Sequence, residues 1–283
     1  MSRILVTGAS GFIGKHLVRR LTREGHAVVE FSSKDGDISE RDALSGYDNV
    51  EHVFHLAAKT FVPESWSNPH DYFRINILGM VTVLEFCRRI GASLTLLSTY
   101  VYGEPQYLPV NEEHPLVAAS PYHQSKIMAE ELAEFYSKQF NVKTTVLRIF
   151  NVYGQGQSSH FLIPKIYAQV VDDTVREVSV MDLEPRRDYV YIDDVTSAML
   201  ATLNPNELYR VYNVGSGAAA SVRDVIETIF EVTGIQKPIH SANLVRKSEV
   251  SVCVADTSRI RKELSFVPLY TLYQGLKAWH EML

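Results

Sequence analysis

The chain is poor in cysteine, has no long apolar run and carries no excess of positive charge. Only two cysteines, Cys87 and Cys253, occur among its 283 residues, and they lie far apart in the sequence. Two distant cysteines provide neither a disulfide framework nor the ligand spacing of a metal site. We therefore expect no metal centre and a reducing, cytoplasmic environment.

The charge and the lengths of the apolar segments exclude two classes of partner. A net charge of −5 argues against nucleic acid or an anionic membrane as the main partner. No stretch approaches the roughly 20 apolar residues of a membrane-spanning helix. The apolar run 4–6 is also too short for the core of a signal peptide. We therefore expect no nucleic-acid and no membrane partner.

Short apolar runs alternate with segments of helical periodicity in the first half of the chain. Strands are expected at 3–7, 27–31, 53–56, 93–97 and 142–149, and helices at 11–24, 72–89 and 121–140. Such alternation is typical of parallel pairing. The sequence therefore predicts an α/β fold, a Rossmann-like doubly wound parallel sheet whose ligands bind at the carboxyl ends of its strands.

The pattern of the sequence changes after Asn151. Helices are expected near 160–171, 193–203 and 221–233, and short strands at 189–192 and 211–214. We therefore divide the chain into a dinucleotide-binding domain at 1–151 and a smaller, mixed α/β substrate-binding lobe at 152–283. Segments near 189–214 are expected to return to the first domain.

Three glycines follow the first expected strand and open the first expected helix. Gly8 permits a tight turn, Gly11 removes a side chain where the backbone would approach a phosphate, and Gly14 allows the helix to pack closely on the sheet. The amides and the positive dipole end of the helix would then face the pyrophosphate of a dinucleotide. Strand, glycines and helix in this order indicate a dinucleotide-binding loop.

The residue at the end of the second strand normally distinguishes NAD from NADP. An acid there accepts hydrogen bonds from the ribose hydroxyls, whereas its absence beside a cation tolerates a 2′-phosphate. We place Ser32 at this position, followed by Ser33 and by the cation Lys34. This arrangement favours NADP(H), with NAD(H) possible. The alternative is that Glu30 is the ribose acid.

Tyr122 and Lys126 are four residues apart, so they share one face of the expected helix. A phenol titrates near pH 10, and a nearby ammonium lowers that pKa. A tyrosine tuned in this way can exchange a proton with a carbonyl or hydroxyl oxygen while a hydride moves. Ser98 and Thr99 end the fourth strand, where a hydroxyl can share the substrate oxygen with the tyrosine. These four residues form the candidate catalytic group.

The motifs together resemble the extended short-chain dehydrogenase/reductase family, in its nucleotide-sugar epimerase, dehydratase and reductase branch. The resemblance covers nearly the whole chain, because blocks of the family pattern recur in order along it. These blocks are Thr7 to Gly14, Asp37-Ile38, His55 to Ala58, Asn76 to Gly79, Ser98 to Gly103, Pro121 to Lys126, Arg148 to Gly154, Arg187 to Val195 and Tyr212 to Gly217.

The resemblance implies roles for individual residues. Asp37 and Ile38 would flank the adenine, Leu56, Ala57 and Ala58 would line the dinucleotide, and Ser98 would be the hydroxyl beside Tyr122. The remaining residues assigned to the cofactor site are Ser10, Phe12, Ile13, Lys59, Asn76, Tyr122, Lys126, Phe150 and Val152. Those assigned to the nucleotide-diphosphate sugar are Asn151, Arg187, Arg246 and Tyr100. Arginine suits that task because its guanidinium binds phosphate in a bidentate manner.

The residues beside the catalytic hydroxyls limit the choice among the reactions of the family. Dehydratases of the family place an Asp-Glu pair where this chain has Thr99-Tyr100, so dehydration is not expected. The leading expectation is an NAD(P)H-dependent reductase of a nucleotide-linked 4-keto-6-deoxyhexose. The missing acid at Ser32 and the short segment before Asp37 favour this reaction. The alternative is a nucleotide-hexose 4-epimerase that retains NAD.

Two further possibilities within the family are less consistent with the residues. The bifunctional epimerase-reductases that make fucose nucleotides carry a cysteine where this chain has Tyr100. Relatives that act only as redox sensors tend to lose the tyrosine or the lysine, and Tyr122 and Lys126 are both present. By analogy with the family, we expect a homodimer formed by helices that end near residues 89 and 140.

Overall fold

A computed structural model describes residues 2–244 and 250–283 of the chain. The strands are β1 (Arg3–Thr7), β2 (Ala27–Phe31), β3 (His52–His55), β4 (Ser93–Thr99), β5 (Thr144–Ile149), β6 (Asn151–Tyr153), β7 (Val178–Val180), β8 (Arg186–Tyr191), β9 (Tyr209–Val214), β10 (Ala219–Ser221), β11 (Ile239–Ser241) and β12 (Val252–Cys253). The helices are α1 (Phe12–Arg23), α2 (Val62–Ser67), α3 (Pro69–Phe73), α4 (Gly79–Ile90), α5 (Pro121–Phe140), α6 (Leu162–Val171), α7 (Ile192–Leu200), α8 (Val222–Thr233), α9 (Ser258–Leu264) and α10 (Leu272–His280).

Six parallel strands form the central sheet in the order β2-β1-β3-β4-β5-β9. Every residue of β3 and of β5 is buried, as both faces of a helix-covered parallel sheet require. The chain leaves β1 toward β2 on one side and returns as β3 on the other. This reversal creates a crevice at the carboxyl end of β1, where open parallel sheets bind ligands. The expected Rossmann-like sheet is confirmed.

The long helix expected at 72–89 is interrupted by a π-helical turn at Arg74–Leu78, which joins α3 to α4. A π turn adds a residue to the helical repeat and rotates the side chains that follow it. Asn76, within the turn, is buried beneath the cofactor crevice. The periodicity of the sequence continues across the turn, so this local change was not predicted.

A second lobe is built from short strands and from α6, α8 and α10, whereas α9 packs on β9 of the central sheet. β8 is flanked by β10, β12 and β6, and β11 pairs with β7. Of the segments expected to return, β9 joins the central sheet and α7 packs on α1, whereas β8 lies in the smaller sheet. Strands of two or three residues are too short to show an alternating pattern of apolar residues, so the sequence did not predict β6, β7 or β10 to β12. Within the described ranges, the structure contains no helix with the length and apolar character needed to cross a bilayer.

A buried ion pair connects the central sheet to α5. Arg148, in the middle of β5, donates two hydrogen bonds to Glu130 Oε2, at 3.0 Å from Nε and 2.8 Å from Nη2. The two side chains are only 6% and 3% exposed. Because both charges are desolvated, each depends on the other for its hydrogen bonds.

The same guanidinium continues the polar network toward the second lobe. Its Nη1 donates to the hydroxyl of Tyr102 and to the carbonyl of Glu112, both at 3.1 Å. Tyr102 donates in turn to Asn213 Oδ1 at 2.5 Å, and the backbone N–H of Asn213 donates to Glu112 Oε1 at 2.8 Å. The network therefore fixes the loop after β4 against β5 and β9.

We expect Glu130→Ala to lower the free energy of unfolding by about 3–5 kcal/mol, because it leaves Arg148 charged and buried without its partner. The matched control is Glu131→Ala, an exposed carboxylate on the same helix, for which we expect a change within about 0.5 kcal/mol. Denaturant unfolding followed by circular dichroism measures both. Equal effects of the two substitutions would contradict the structural role given to the ion pair.

Candidate active site

The glycine loop closes on itself between β1 and α1. Gly8 has a φ of 71°, in the left-handed region that favours glycine, and its carbonyl accepts the N–H of Gly11 at 3.0 Å. A Cβ on Gly14 would lie 2.2 Å from that carbonyl oxygen. Gly11 caps α1 without a side-chain hydrogen bond. The first amides of α1 therefore point into the crevice, as an anion site at a helix N-terminus requires.

The opposite wall of the crevice follows β3. The hydroxyl of Thr7 lies 2.8 Å from His55 Nδ1 and accepts the N–H of Ala57 at 3.3 Å. A Cβ on Gly8 would lie 2.7 Å from the Ala57 nitrogen, so the two loops approach backbone to backbone. Leu56, Ala57 and Ala58 follow β3 along this wall, and their contact with a dinucleotide stays a prediction. Burial lowers the pKa of His55 to about 3, so this histidine is neutral and structural.

The end of β2 carries a carboxylate that sequence analysis did not anticipate. Asp35 Oδ2 accepts hydrogen bonds from the backbone N–H and from the hydroxyl of Ser32, both at 2.8 Å. The N–H of Asp35 donates to the Ser32 carbonyl at 2.9 Å, which closes a turn. Ser32 is buried, whereas Ser33 and Lys34 are exposed. We expected no acid at the end of β2, where Ser32 lies. The turn nevertheless brings the carboxylate of Asp35 to that place.

Asp37 and Ile38 follow that turn. Arg74 Nη1 donates to Asp37 Oδ2 at 2.5 Å, and this contact, with those from Ser39, lowers the pKa of Asp37 to about 2. The Ile38 side chain is buried in the apolar core against Gly79. Both residues lie near the rim of the crevice, and their contact with an adenine stays a prediction.

Tyr122 lies in the first turn of α5, whose start is fixed by Ser120. The Ser120 hydroxyl accepts the N–H of His123 at 3.2 Å, and Pro121 occupies the first helical position. Burial raises the pKa of Tyr122 well above its usual value, while a hydrogen bond with the Thr99 side chain acts in the opposite direction. Tyr122 is therefore a neutral phenol that can donate a proton.

Lys126 lies one turn further along α5 and is 5% exposed. Its Nζ donates to the carbonyl of Leu97 in β4 at 2.6 Å. Burial lowers the pKa of Lys126 to about 8, and the carboxylate of Glu130 opposes this decrease. We expected the ammonium to lower the pKa of Tyr122. Instead, desolvation dominates at Tyr122, and the ammonium is held by β4.

The resemblance implies that Ser98 is the hydroxyl beside Tyr122, but in the structure the Ser98 side chain bonds to Glu130. Its hydroxyl donates to Glu130 Oε1, and its Cα is paired with Arg148 across the sheet. Successive residues of a strand point to opposite faces, so Thr99 faces the crevice when Ser98 faces the ion pair. Thr99 is therefore the hydroxyl beside Tyr122, and Ser98 belongs to the buried network.

Asn76 is engaged by the protein on every side of its amide. Its Nδ2 donates to the Lys59 carbonyl at 3.1 Å and to the Ser125 hydroxyl at 2.8 Å, and its Oδ1 accepts the Lys59 N–H at 2.8 Å. Ser125 donates to the Tyr122 carbonyl at 2.7 Å. Asn76 therefore positions the loop after β3 against α5. We expected it to bind the cofactor, but both of its N–H donors are already used.

Tyr100 and Asn151 form a wall beyond Thr99. The ring of Tyr100 stacks on Phe150 with 5.0 Å between centroids, and its hydroxyl donates to Asn151 Oδ1 at 3.0 Å. Asn151 Nδ2 donates to the carbonyl of Asp188 at 3.2 Å. Phe150 is buried among Tyr102 and neighbouring apolar side chains. Phe150 thus supports the ring of Tyr100, and its expected contact with the cofactor stays a prediction.

The remaining expected site residues are distributed around the crevice. Arg187 is half-buried on β8, where its Nη1 donates to the carbonyl of Arg186 at 2.9 Å. Phe12 and Ile13 are half-buried at the start of α1, Ser10 is exposed in the glycine loop, and Val152 is half-buried on β6. Lys59 donates to Glu64 at 2.8 Å. Arg246 lies outside the described residues. Among residues 2–244 and 250–283, no cluster of metal-ligating side chains is found.

Sequence reasoning missed three residues at the site. Glu130 extends the spacing of Tyr122 and Lys126 by one more helical turn, which could have revealed it. Arg148 is the one charged residue of a fully buried strand, and a charge there requires a buried partner. Asp35 gives no such signal, because only the turn brings its carboxylate back to β2.

Comparisons with known proteins agree with this geometry. The model of the NAD dependent epimerase/dehydratase family matches residues 4–215. The chain is 30% identical to the UDP-glucose 4-epimerase of Azospirillum brasilense, over 97% of this chain and 89% of that protein. It is 31% identical to the GDP-6-deoxy-D-mannose reductase of Pseudomonas aeruginosa, over 98% of this chain and 95% of that protein.

Solved structures show the same similarity in three dimensions. MoeE5 in complex with UDP-glucose and NAD superposes with a TM-score of 0.90 at 30% identity, over 99% of this chain and 97% of that one. RMD from Pseudomonas aeruginosa with NADPH superposes with a TM-score of 0.90 at 28% identity, over the full length of both chains. The similar structures therefore include one with NAD and one with NADPH.

We expect one lysine of the cofactor-free protein to titrate near pH 8, because burial disfavours the charged form of Lys126. NMR of lysines labelled at Cε measures the titration. The signal should be missing in Lys126→Arg, which keeps a positive charge and assigns the resonance. If every lysine signal of the wild-type protein titrates above pH 10, the predicted effect of burial on the pKa of Lys126 is refuted.

Proposed function

The chain belongs to the NAD-dependent epimerase/dehydratase family, and we propose that it reduces the 4-keto group of a nucleotide-linked 6-deoxyhexose. The observation that carries this proposal is the buried, protonated phenol of Tyr122 beside Thr99, at the carboxyl end of β4. A neutral phenol is a proton donor, and a ketone that receives a hydride needs a proton at its oxygen.

The chemistry divides between the cofactor and three side chains. A bound dihydronicotinamide would supply the hydride to C4 of the sugar. Tyr122 donates its proton to O4 as negative charge develops there, and Thr99 holds both oxygens in position. Lys126, charged below about pH 8 and held by the Leu97 carbonyl, places a positive charge one helical turn from the phenolate that remains. The glycine loop Gly8-Gly11-Gly14 and the loop 56–58 would hold the dinucleotide between them.

The wall beyond Thr99 is suited to a nucleotide-sugar substrate. Asn151 is fixed between Tyr100 and the carbonyl of Asp188. Arg187 lies on the strand beside it and offers a guanidinium, the group that binds diphosphate in a bidentate manner. Two relatives support this substrate class, since one similar structure holds UDP-glucose and another similar protein is a GDP-sugar reductase.

A nucleotide-hexose 4-epimerase that retains NAD is the second candidate. The similarity to a UDP-glucose 4-epimerase and to a structure with UDP-glucose and NAD favours it. So does Asp35, because an acid at the end of β2 suits the unphosphorylated ribose of NAD. The sequence-based preference for NADP(H) depends on Lys34 and on the missing acid at Ser32. It stays a prediction against which Asp35 argues.

The exposed surface of α5 is the proposed dimer interface. Phe135 and Phe140 are 53% and 44% exposed on this helix, which packs beside α4. A second copy of the chain would cover these aromatic side chains. Sedimentation of the wild-type protein tests the homodimer, and a monomer at micromolar concentration would rule it out.

We expect Tyr122→Phe to lower turnover by about 10²- to 10⁴-fold, because it removes the proton donor and keeps the ring. Binding of the dinucleotide should stay within about two-fold of wild type, since the phenol does not hold the pyrophosphate. Tyr107→Phe is the control, because it removes an exposed hydroxyl that donates to Asn111 Oδ1. Unchanged turnover of Tyr122→Phe would refute the catalytic role.

The cofactor balance separates the two candidate reactions. A reductase consumes one dihydronicotinamide for each 4-keto sugar, which the loss of nicotinamide absorbance records. An epimerase converts a UDP-hexose with no added cofactor, since the hydride returns to the same substrate. Epimerisation by the purified protein without added cofactor, combined with no reduction of a 4-keto sugar, would overturn the reductase in favour of the epimerase.

A further inference from the structure

We propose that Asp35 selects NAD(H) over NADP(H), by presenting a carboxylate at the end of β2 through the turn Ser32–Asp35. The proposal rests on the proposed function, since it concerns the ribose of the same cofactor. Asp35 lies 21 residues after Gly14, close to the separation of about 20 residues at which dinucleotide folds place their ribose acid. Asp35 does not lie in β2 itself, because the strand ends at Phe31 and Ser32 begins the turn.

The turn brings the carboxylate back to the strand end by two hydrogen bonds. Both the backbone N–H and the hydroxyl of Ser32 donate to Asp35 Oδ2 at 2.8 Å. The Phe31 carbonyl accepts the N–H of Ala9 at 3.2 Å, so this strand end is bonded directly to the glycine loop. The carboxylate therefore lies at the strand end that adjoins the glycine loop, where the adenosine ribose of a bound dinucleotide would lie, and its contacts in the described structure leave Oδ1 as a hydrogen-bond acceptor.

The same contacts occupy both hydrogen-bond donors of Ser32, which a 2′-phosphate at this position would otherwise contact. The N–H and the hydroxyl of Ser32 both point to Asp35, and the Ser32 oxygen accepts the N–H of Lys34 at 3.3 Å. A phosphate at this position would have to displace a carboxylate that is already bonded twice. It would also add negative charge beside that carboxylate, which is repulsive at short range.

Lys34 and Tyr47 are the other polar groups that act on Asp35. The hydrogen bonds from Ser32 lower the pKa of Asp35 most, and the charge of Lys34 lowers it further. The charge of Asp35 in turn raises the pKa of the Tyr47 phenol, for which burial is the larger cause. The carboxylate of Asp35 therefore stays ionised at neutral pH, and the positive charge of Lys34 makes only a small contribution to this.

Binding of NAD⁺ and NADP⁺ to the full-length protein by calorimetry tests the proposal. We expect wild type to bind NAD⁺ more tightly than NADP⁺, by about tenfold or more. Asp35→Asn keeps an oxygen that can accept both Ser32 bonds and removes only the charge. We expect this variant to shift the ratio of the two dissociation constants toward NADP⁺ by about tenfold, since one repulsion is lost and one charged acceptor is weakened.

Glu30→Gln is the matched control, because it removes the same charge from an exposed position on β2. We expect it to change the ratio by less than about two-fold, and an equal shift in this variant would assign the selectivity to Glu30. A wild type that prefers NADP⁺, or an Asp35→Asn ratio equal to that of wild type, would overturn this inference alone. Binding of neither dinucleotide to wild type would overturn the proposed function as well.

Discussion

The candidate site depends on one face of α5 being desolvated against the carboxyl end of β4. Tyr122, Lys126 and Glu130 recur at one-turn intervals along that face. Lys126 is bonded to the Leu97 carbonyl, and Glu130 to Ser98 and Arg148. Because water is excluded from this face, the phenol of Tyr122 stays protonated and the pKa of the Lys126 amine falls to about 8. The carboxylate of Glu130 needs a buried counter-charge, which Arg148 provides. The protonation states required for proton donation therefore follow from the packing of a single helix.

The sequence was sufficient for the central sheet and for the residues that contact it directly. Gly8 and Gly14 lie where neighbouring backbone leaves no room for a side chain. Tyr122 and Lys126 could be paired from their helical spacing alone. Sequence reasoning was weaker where a side chain's direction decides its role. Ser98 and Thr99 are adjacent hydroxyls in the sequence, and only the pleat of β4 shows that Thr99 faces Tyr122 while Ser98 faces Glu130.

The same limit explains Asn76 and Asp35. An asparagine that joins two parts of the protein and one that binds a cofactor cannot be told apart in the sequence. The π turn at 74–78 places the Asn76 amide against Ser125, and this gives it the first of these roles. Asp35 carries no periodic signal, since a tight turn reverses its direction toward Ser32. In the second lobe, strands of two or three residues are held by their neighbours and not by their own pattern. Recognition of the sugar nucleotide by this lobe accordingly remains a matter of proposal.

Transfer of deuterium from a reduced nicotinamide cofactor labelled at ring C4 tests the central claim most directly. The labelled cofactor is mixed with a nucleotide-linked 4-keto-6-deoxyhexose and the full-length protein, and NMR locates the deuterium in the product. The account predicts deuterium at C4 of the sugar, because Tyr122 at the end of β4 protonates O4 while the hydride reaches C4. A product with deuterium at another carbon, or a reduced sugar that contains none, would contradict it.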